Sequence, residues 1–339
     1  MELPSTQVPE RSDVDAAIFA QEVVPAFKPL VMRGLLRHWP AVQNAAASPA
    51  AAAYYLGRFY NGRPVEAFVG APDIAGRFSY SSDLAGFNFE KQQGTLTSVL
   101  EYLTGKGAEA GARSVYVGAA PVPDLLPGFS AENALPLLEG KGAVPRIWIG
   151  NRTSVSAHFD MSDNIAAVVA GTRRFLVFPP DQVGNLYVGP IDHTMAGQPA
   201  SMVPAHDPDL VRHPKFRDAL ANAMVAELGP GDAIYLPSLW WHQVDALSSF
   251  NILLNYWWSD APPEAGSPFE AMVHGLFAIS HLPDEQRDAW RAMFDHYVFQ
   301  RNGHPAEHLP ADRRGVLGPP TPALLARIRQ FLLQGLGRR

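Results

Sequence analysis

The chain has 339 residues, of which 47% are hydrophobic and 18% charged, and it carries a formal net charge of −6. That length buries a sizeable core and suits one large domain with additions or two small ones. No Lys/Arg run marks a nucleic-acid footprint, no apolar run reaches the length of a membrane span, and the absence of cysteine excludes disulfides and thiolate ligands.

The polar start, Met1 to Arg11, lacks an apolar signal core, so a cytoplasmic soluble protein is the expectation. Asp13 to Val24 reads as a helix ended by Pro25, and Leu30 to Met32 as a short strand closed by Gly34. Ala50 to Phe59 reads as a helix, Val65 to Val69 as a strand, Leu96 to Leu103 as a helix and Ser114 to Val117 as a strand. Arg146 to Gly150 is a further strand. Asn164 to Ala170 and Arg173 to Phe178, joined by Gly171-Thr172, have the pattern of a hairpin. From Asp181 to about Ala226 the chain is irregular and reads as a long insertion with one helix, whose histidines, His193, His206 and His213, are expected in solvent. Ala233 to Leu236, Trp241 to Val244 and Asn251 to Trp257 are short strands separated by turns, which points to a β-barrel or double-sheet jelly roll. After Pro262-Pro263 the pattern is helical, opened by Ser267-Pro268-Phe269-Glu270, with apolar stripes from Trp290 to Val298 and from Leu324 to Leu332.

Three residues stand out for their chemistry. His158 and Asp160 flank Phe159, and on a strand they would point to the same face. His242, 84 residues beyond His158, sits on a distant strand segment, Leu239 to His242. Two imidazoles and one carboxylate on one face of an octahedron leave three positions open, which suits non-haem Fe(II). An isolated histidine is more often a surface or core residue, so the triplet draws its weight from its context. Trp240, Trp241, Trp257 and Trp258 read most simply as packing residues.

Arg173 and Arg174 follow the Gly171-Thr172 turn, and alternation sends one inward if the other points out. An inward Arg173 in a barrel needs an anion, and a dicarboxylate would supply one through a paired guanidinium–carboxylate contact. The alternative is an outward Arg173 in a surface turn. Tyr116 is either a core tyrosine or a hydroxyl donor to the same carboxylate. Asn164 and Asn255, polar residues in apolar strands, are either edge or turn amides or groups that orient a bound ligand.

Together these segments resemble a known family. His158-Phe159-Asp160, Phe175 to Asp181, Pro230 to Pro237, Trp240-Trp241-His242 and Asn255-Tyr256-Trp257 are similar to the cupin-like branch of the JmjC 2-oxoglutarate oxygenases, in particular its asparaginyl hydroxylases. The likeness is clear from about Arg146 to Pro262 and weaker before it. It implies a double-stranded β-helix, mainly β with flanking helices, holding Fe(II) on His158, Asp160 and His242. It implies 2-oxoglutarate as cosubstrate, with Tyr116 on its distal carboxylate and Asn164 and Asn255 beside it. Two departures stand out: Arg173 replaces the family lysine, and Val155 stands where a threonine would bond the cosubstrate, a bond that is missing unless Ser154 or Ser156 replaces it.

The expected organisation is an N-terminal α/β region over 1–125, a jelly-roll core over 126–262 and a helical segment over 263–339. The expected function is a hydroxylase acting on a protein side chain, peptide or small metabolite, with no nucleic acid or membrane as partner. The amphipathic C-terminal helices, together with the resemblance, imply a homodimer. The alternatives are a metal-dependent cupin that does not use 2-oxoglutarate and a non-catalytic binding protein of the same fold.

Overall fold

The computed structural model describes residues 4–81, 83–194, 197–262 and 264–337, so Pro263 of the Pro262-Pro263 break lies outside them. The chain divides into two compact units, Met1–Ser259 and Asp260–Arg339. Among the described residues, no helix is long and apolar enough to cross a membrane.

The first unit is a double-sheet jelly roll. Its described strands are β1 (Glu10–Arg11), β2 (Leu30–Met32), β3 (Pro64–Gly70), β4 (Arg77–Phe78), β5 (Glu90–Thr95), β6 (Ser114–Pro121) and β7 (Pro145–Gly150). They continue with β8 (Thr153–His158), β9 (Asp163–Ala170), β10 (Arg173–Phe178), β11 (Met224–Leu228), β12 (Ala233–Leu236), β13 (Trp241–Ala246) and β14 (Asn251–Trp258). The larger sheet runs β1-β2-β12-β9-β14-β7-β6-β3-β5 and the smaller β11-β10-β13-β8-β4. Pairing is antiparallel except for β1 with β2 and β4 with β8.

Side-chain alternation sorts the core into three layers. Ala166, Val168, Ile234 and Leu253 of the larger sheet meet Phe175, Val177 and Leu228 of the smaller one between the sheets. The outer face of the larger sheet, including Ile149, Ile165 and Leu254, is covered by Phe19, Trp39, Leu56 and Leu100 from the N-terminal helices. The outer face of the smaller sheet, through Leu176, Phe178 and Trp241, is covered by Leu186, Val203 and Phe216. Strand β9 is therefore buried on both faces almost throughout, which is why its sequence is a continuous apolar run.

Several expectations need correction. Strands β9 and β10 do not form a hairpin: β9 pairs with β12 and β14, and β10 with β11 and β13. The Gly171-Thr172 turn carries the chain from one sheet to the other. It is tied down by the turn after β13, because Thr172 N–H donates to Ser248 Oγ at 3.0 Å and Leu247 N–H donates to the Thr172 carbonyl. The irregular segment ends earlier than expected, since Met224–Leu228 is a strand. It is also packed: Phe216–Ala221 is helical, and His193, His206 and His213 are half-buried, with His193 stacked on Phe87 at 5.0 Å. The first helix starts at Ala16 under an Asp15 cap, passes through a wide π turn over Phe19–Val23, and runs past Pro25 to Phe27, whose left-handed φ of 50° ends it. The helix Pro40–Ala47 and strand β5 have no counterpart in the sequence reading.

The second unit contains the helices Pro268–Ile279, Asp284–Tyr297 and Pro322–Leu336, capped by Ser267 in the first and Thr321 in the last.

The sheet-to-sheet turn yields a stability test. Gly171 has φ +75°, and an added Cβ would lie 2.6 Å from the Phe250 carbonyl oxygen and within contact of the Asn251 side chain. Gly171→Ala is expected to cost about 2–4 kcal/mol, from left-handed strain plus overpacking. Gly184→Ala, which meets open space, should stay within about 0.5 kcal/mol of wild type. Denaturant unfolding followed by tryptophan fluorescence separates the two.

Candidate metal centre

His158 is the last residue of β8, and His242 lies directly opposite it on β13. Directly paired antiparallel residues share a face, so both rings enter the space between the sheets, with centroids 4.4 Å apart. Asp160 lies just past the end of β8 rather than on it, and its carbonyl is held by the N–H of Leu239 at 2.8 Å. Phe159 turns the other way, against Trp241. One ligand atom from each of His158, Asp160 and His242 lies within 4.8 Å of the other two.

The hydrogen bonds fix which atoms face the gap. His158 Nδ1 is 2.9 Å from the Ser156 carbonyl, and His242 Nδ1 is 3.0 Å from the Trp240 carbonyl. A carbonyl only accepts, so each Nδ1 carries the proton and each Nε2 keeps its lone pair. Burial, reinforced by the neighbouring His158, pushes the His242 pKa well below its ordinary value, although Asp160 opposes the shift. A neutral His242 thus sets its Nε2 3.7 Å from Asp160 Oδ2, an acceptor facing an acceptor. That pairing is unfavourable until a cation lies between, and two imidazoles with one carboxylate fit a divalent first-row metal.

Asp160 is held from behind. Asn164 Nδ2 and Trp257 Nε1 both donate to its Oδ2, at 2.8 and 2.9 Å, and Asn255 Nδ2 donates to Asn164 Oδ1 at 2.8 Å. The two asparagines therefore form one chain of donors ending on the ligand carboxylate, and the indole donates to the same oxygen independently. Trp257 was read from sequence as packing. The period-two signal that carries Leu253, Asn255 and Trp257 to one face of β14 would have identified it.

The three ligands line a cavity of about 380 Å³, together with Asn164, Asn255, Tyr116 and Arg173. Tyr116 stacks on Phe68 at 4.6 Å, and burial raises its pKa, so its hydroxyl stays a donor. Arg173 is only 7% exposed, while Arg174 points outward to Glu227 at 3.4 Å. Among the described residues Arg173 has no ion-pair partner, and its Nε is buried without a hydrogen bond. Burial pulls the guanidinium down to about 10, still far above neutrality, so it remains a cation lacking an anion. Val155 also lines the cavity, whereas Ser154 and Ser156 face a separate cleft on the outside of the smaller sheet. Ser154 Oγ donates to Asp245 there at 2.6 Å, so neither serine restores the hydroxyl that Val155 lacks.

Two outcomes follow from this geometry. His158→Ala and His242→Ala are each expected to lose most bound divalent metal while keeping the fold, and Asp160→Ala to lose part of it. Metal content after purification, with circular dichroism as the fold control, checks this, and full metal loading of all three variants would contradict it. The second concerns pH. The folded-state pKa of His242 lies below its ordinary 6.5, at about 4, so the unfolded chain takes up that proton first as pH falls. The contribution is complete above about pH 6.5 and is lost toward about pH 4, so the metal-free protein should melt at a lower temperature at pH 5 than at pH 7. In His242→Gln that pH dependence should be flatter.

Comparison with known proteins gives the site a setting. Residues 15–264 match a family described as the cupin-like domain. A bifunctional peptidase and (3S)-lysyl hydroxylase from Homo sapiens is 26% identical over 271 residues, covering 71% of this chain and 80% of that protein. A tRNA wybutosine-synthesizing protein 5 from Danio rerio is 31% identical over 146 residues, 39% of this chain and 42% of that protein. A lysine-specific demethylase from Arabidopsis thaliana is 31% identical over 103 residues, 30% of this chain and 18% of that protein. The chain thus spans less than half the length of the last two. With the match covering most of its length, including all three candidate metal ligands, the chain belongs to the cupin-like domain family.

Proposed function

We propose that this protein is an Fe(II)- and 2-oxoglutarate-dependent oxygenase, a hydroxylase of a protein side chain, peptide or small metabolite. The observation that carries the reading is one cavity with a cation-demanding ligand set on its wall and a buried, anion-lacking Arg173 beside it. A metal alone explains the first and leaves the second unexplained. A dicarboxylate that reaches the metal with one end and Arg173 with the other satisfies both. The hydroxylase and demethylase among the relatives support the same chemistry.

The chain's own residues divide the work. Fe(II) held by His158, Asp160 and His242 would supply the redox chemistry that couples oxidative decarboxylation of 2-oxoglutarate to hydroxylation. Arg173 binds the distal carboxylate, with the Tyr116 hydroxyl as a second donor. Val155, with no hydroxyl to offer, leaves more of that task to Arg173 than to the family lysine. Asn255, Asn164 and Trp257 keep Asp160 oriented as an anionic ligand. The apolar wall of Phe175, Leu236 and Leu253 keeps water from the reacting centre. A metal-dependent cupin without 2-oxoglutarate would have no use for the Arg173 cation.

The homodimer belongs to the same proposal. None of the three long helices of residues 260–339 contains a buried residue. Phe277 and Phe331 are 72% and 74% exposed, with Trp290, Met293 and Leu333 also open. Apolar helix faces of this extent are covered by a partner in stable proteins, and a second copy offers the same faces. Leu324 and Ile328, part of the expected stripe, are half-buried, so Phe277 and Phe331 are the better probes.

Arg173→Ala is expected to weaken 2-oxoglutarate binding by about 2–4 kcal/mol, and Arg173→Lys to recover part of it. Calorimetric titration of the metal-loaded protein reads this, and an unchanged affinity in Arg173→Ala would move the carboxylate site elsewhere. Phe277→Glu with Phe331→Glu should convert a dimer to a monomer in light scattering at micromolar concentration. A monomeric wild type would refute the dimer.

A further inference from the structure

The metal cavity contains a second guanidinium that the proposed reaction does not use. Arg146 lies on β7 directly opposite Asn255 of β14, so the two side chains share the face that lines the cavity. Asn255 is the first link of the amide chain that ends on Asp160, which makes Arg146 a lateral neighbour of the metal ligands. Arg146 is half-buried, and among the described residues it has no carboxylate partner. Its recorded hydrogen bond runs from Nη1 to the Ala119 carbonyl at 3.1 Å.

That carbonyl is presented by an irregular stretch of backbone. The register between β6 and β7 shifts between Val117 and Ala120, and Ala119 adopts a left-handed φ of 50°. A non-glycine residue adopts this conformation at an energetic cost, and such positions cluster where a site is being shaped. The bulge holds one amine of the guanidinium, and the Arg146 side chain lines the cavity.

Charge balance says what those donors meet. Two guanidiniums and a divalent metal face one carboxylate, Asp160, since an imidazole that holds a metal does so in its neutral form. A dianionic cosubstrate on the metal and Arg173 leaves one positive charge uncompensated, and it sits on Arg146. The planar fork of a guanidinium matches a carboxylate through two parallel hydrogen bonds.

We propose that Arg146 is a specificity-determining residue that binds a carboxylate of the primary substrate, so that the substrate is an acid or an acidic peptide. The assignment rests on the oxygenase reading for the position of the cosubstrate. The carboxylate comes from an acidic side chain or from a chain terminus, and the test separates the two.

The test uses full-length protein loaded with Zn(II) in place of Fe(II) and with stoichiometric 2-oxoglutarate. Trp148 and Trp257 line the cavity, so tryptophan fluorescence reports occupancy. N-acetyl-aspartate N-methylamide probes a side-chain carboxylate and N-acetyl-alanine a terminal one, against N-acetyl-asparagine N-methylamide as the neutral counterpart. Wild type should bind one acidic probe about tenfold more tightly than the neutral one, a difference of ~1.4 kcal/mol. In Arg146→Gln that preference should fall to within about twofold, and Arg146→Lys should keep part of it, because lysine retains the charge without the fork. Equal binding of acidic and neutral probes by wild type, no saturable binding of either acid, or a preference that survives in Arg146→Gln would overturn the proposal. So would an Arg146→Gln variant that loses 2-oxoglutarate affinity as severely as Arg173→Ala, since the cation would then serve the cosubstrate. A wild-type protein that binds neither Zn(II) nor 2-oxoglutarate in the preceding titration would instead remove the oxygenase reading, and this proposal with it.

Discussion

The register between β8 and β13 is the constraint on which the site depends. It sets His158 directly opposite His242, so that two imidazoles enter the same space. A slip of one residue would turn one of the two rings to the outer face, among the side chains that pack on Phe216. The register is not held by the histidines. It is held by the burial of Phe175 and Val177 on the neighbouring β10 between the sheets, and by Trp241 and Ala157 on the opposite face. The apolar pattern thus positions the polar site, and no interaction among the metal ligands is needed to form it.

Electrostatics then divides the cavity into regions. The ligand wall holds one carboxylate, Asp160, and two imidazoles whose Nδ1 atoms are committed to backbone carbonyls. Arg173 and Arg146 are positive and lack carboxylate partners among the described residues. A fold that holds buried or half-buried cations without counter-ions loses stability for it. The loss is reversed only when anions bind, which couples ligand binding to the settling of the site.

Much of this was legible in the sequence, for definable reasons. The strands of the core were visible because β9, β10, β12 and β14 are short apolar runs bounded by turn residues, and β10 and β12 begin and end where the pattern places them. The H-x-D pair is weak by itself, and the candidate metal ligands were visible because that pair and His242 sit in segments that resemble a known family. The pairing of β9 was not legible: two strands joined by Gly171-Thr172 look like a hairpin locally, and only the contacts of the turn with Ser248 and Leu247 send them to different sheets. The packed segment after Asp181 was also hidden, since its apolar residues, Leu186, Val203 and Phe216, follow no helical or strand period. Arg146 was hidden for another reason. It lies on a correctly read strand, but its role depends on which face meets the cavity.

The central claim is that one dicarboxylate spans the metal and Arg173. Such a ligand must be thermodynamically coupled to the metal, and the coupling must be reciprocal. The direct measurement is a pair of calorimetric titrations of 2-oxoglutarate, with and without Zn(II), repeated with glutarate, which has both carboxylates but no keto group. The account predicts that metal tightens 2-oxoglutarate by about tenfold or more and tightens glutarate distinctly less, with 2-oxoglutarate raising metal affinity by the same factor. Equal affinity for 2-oxoglutarate with and without metal would contradict it.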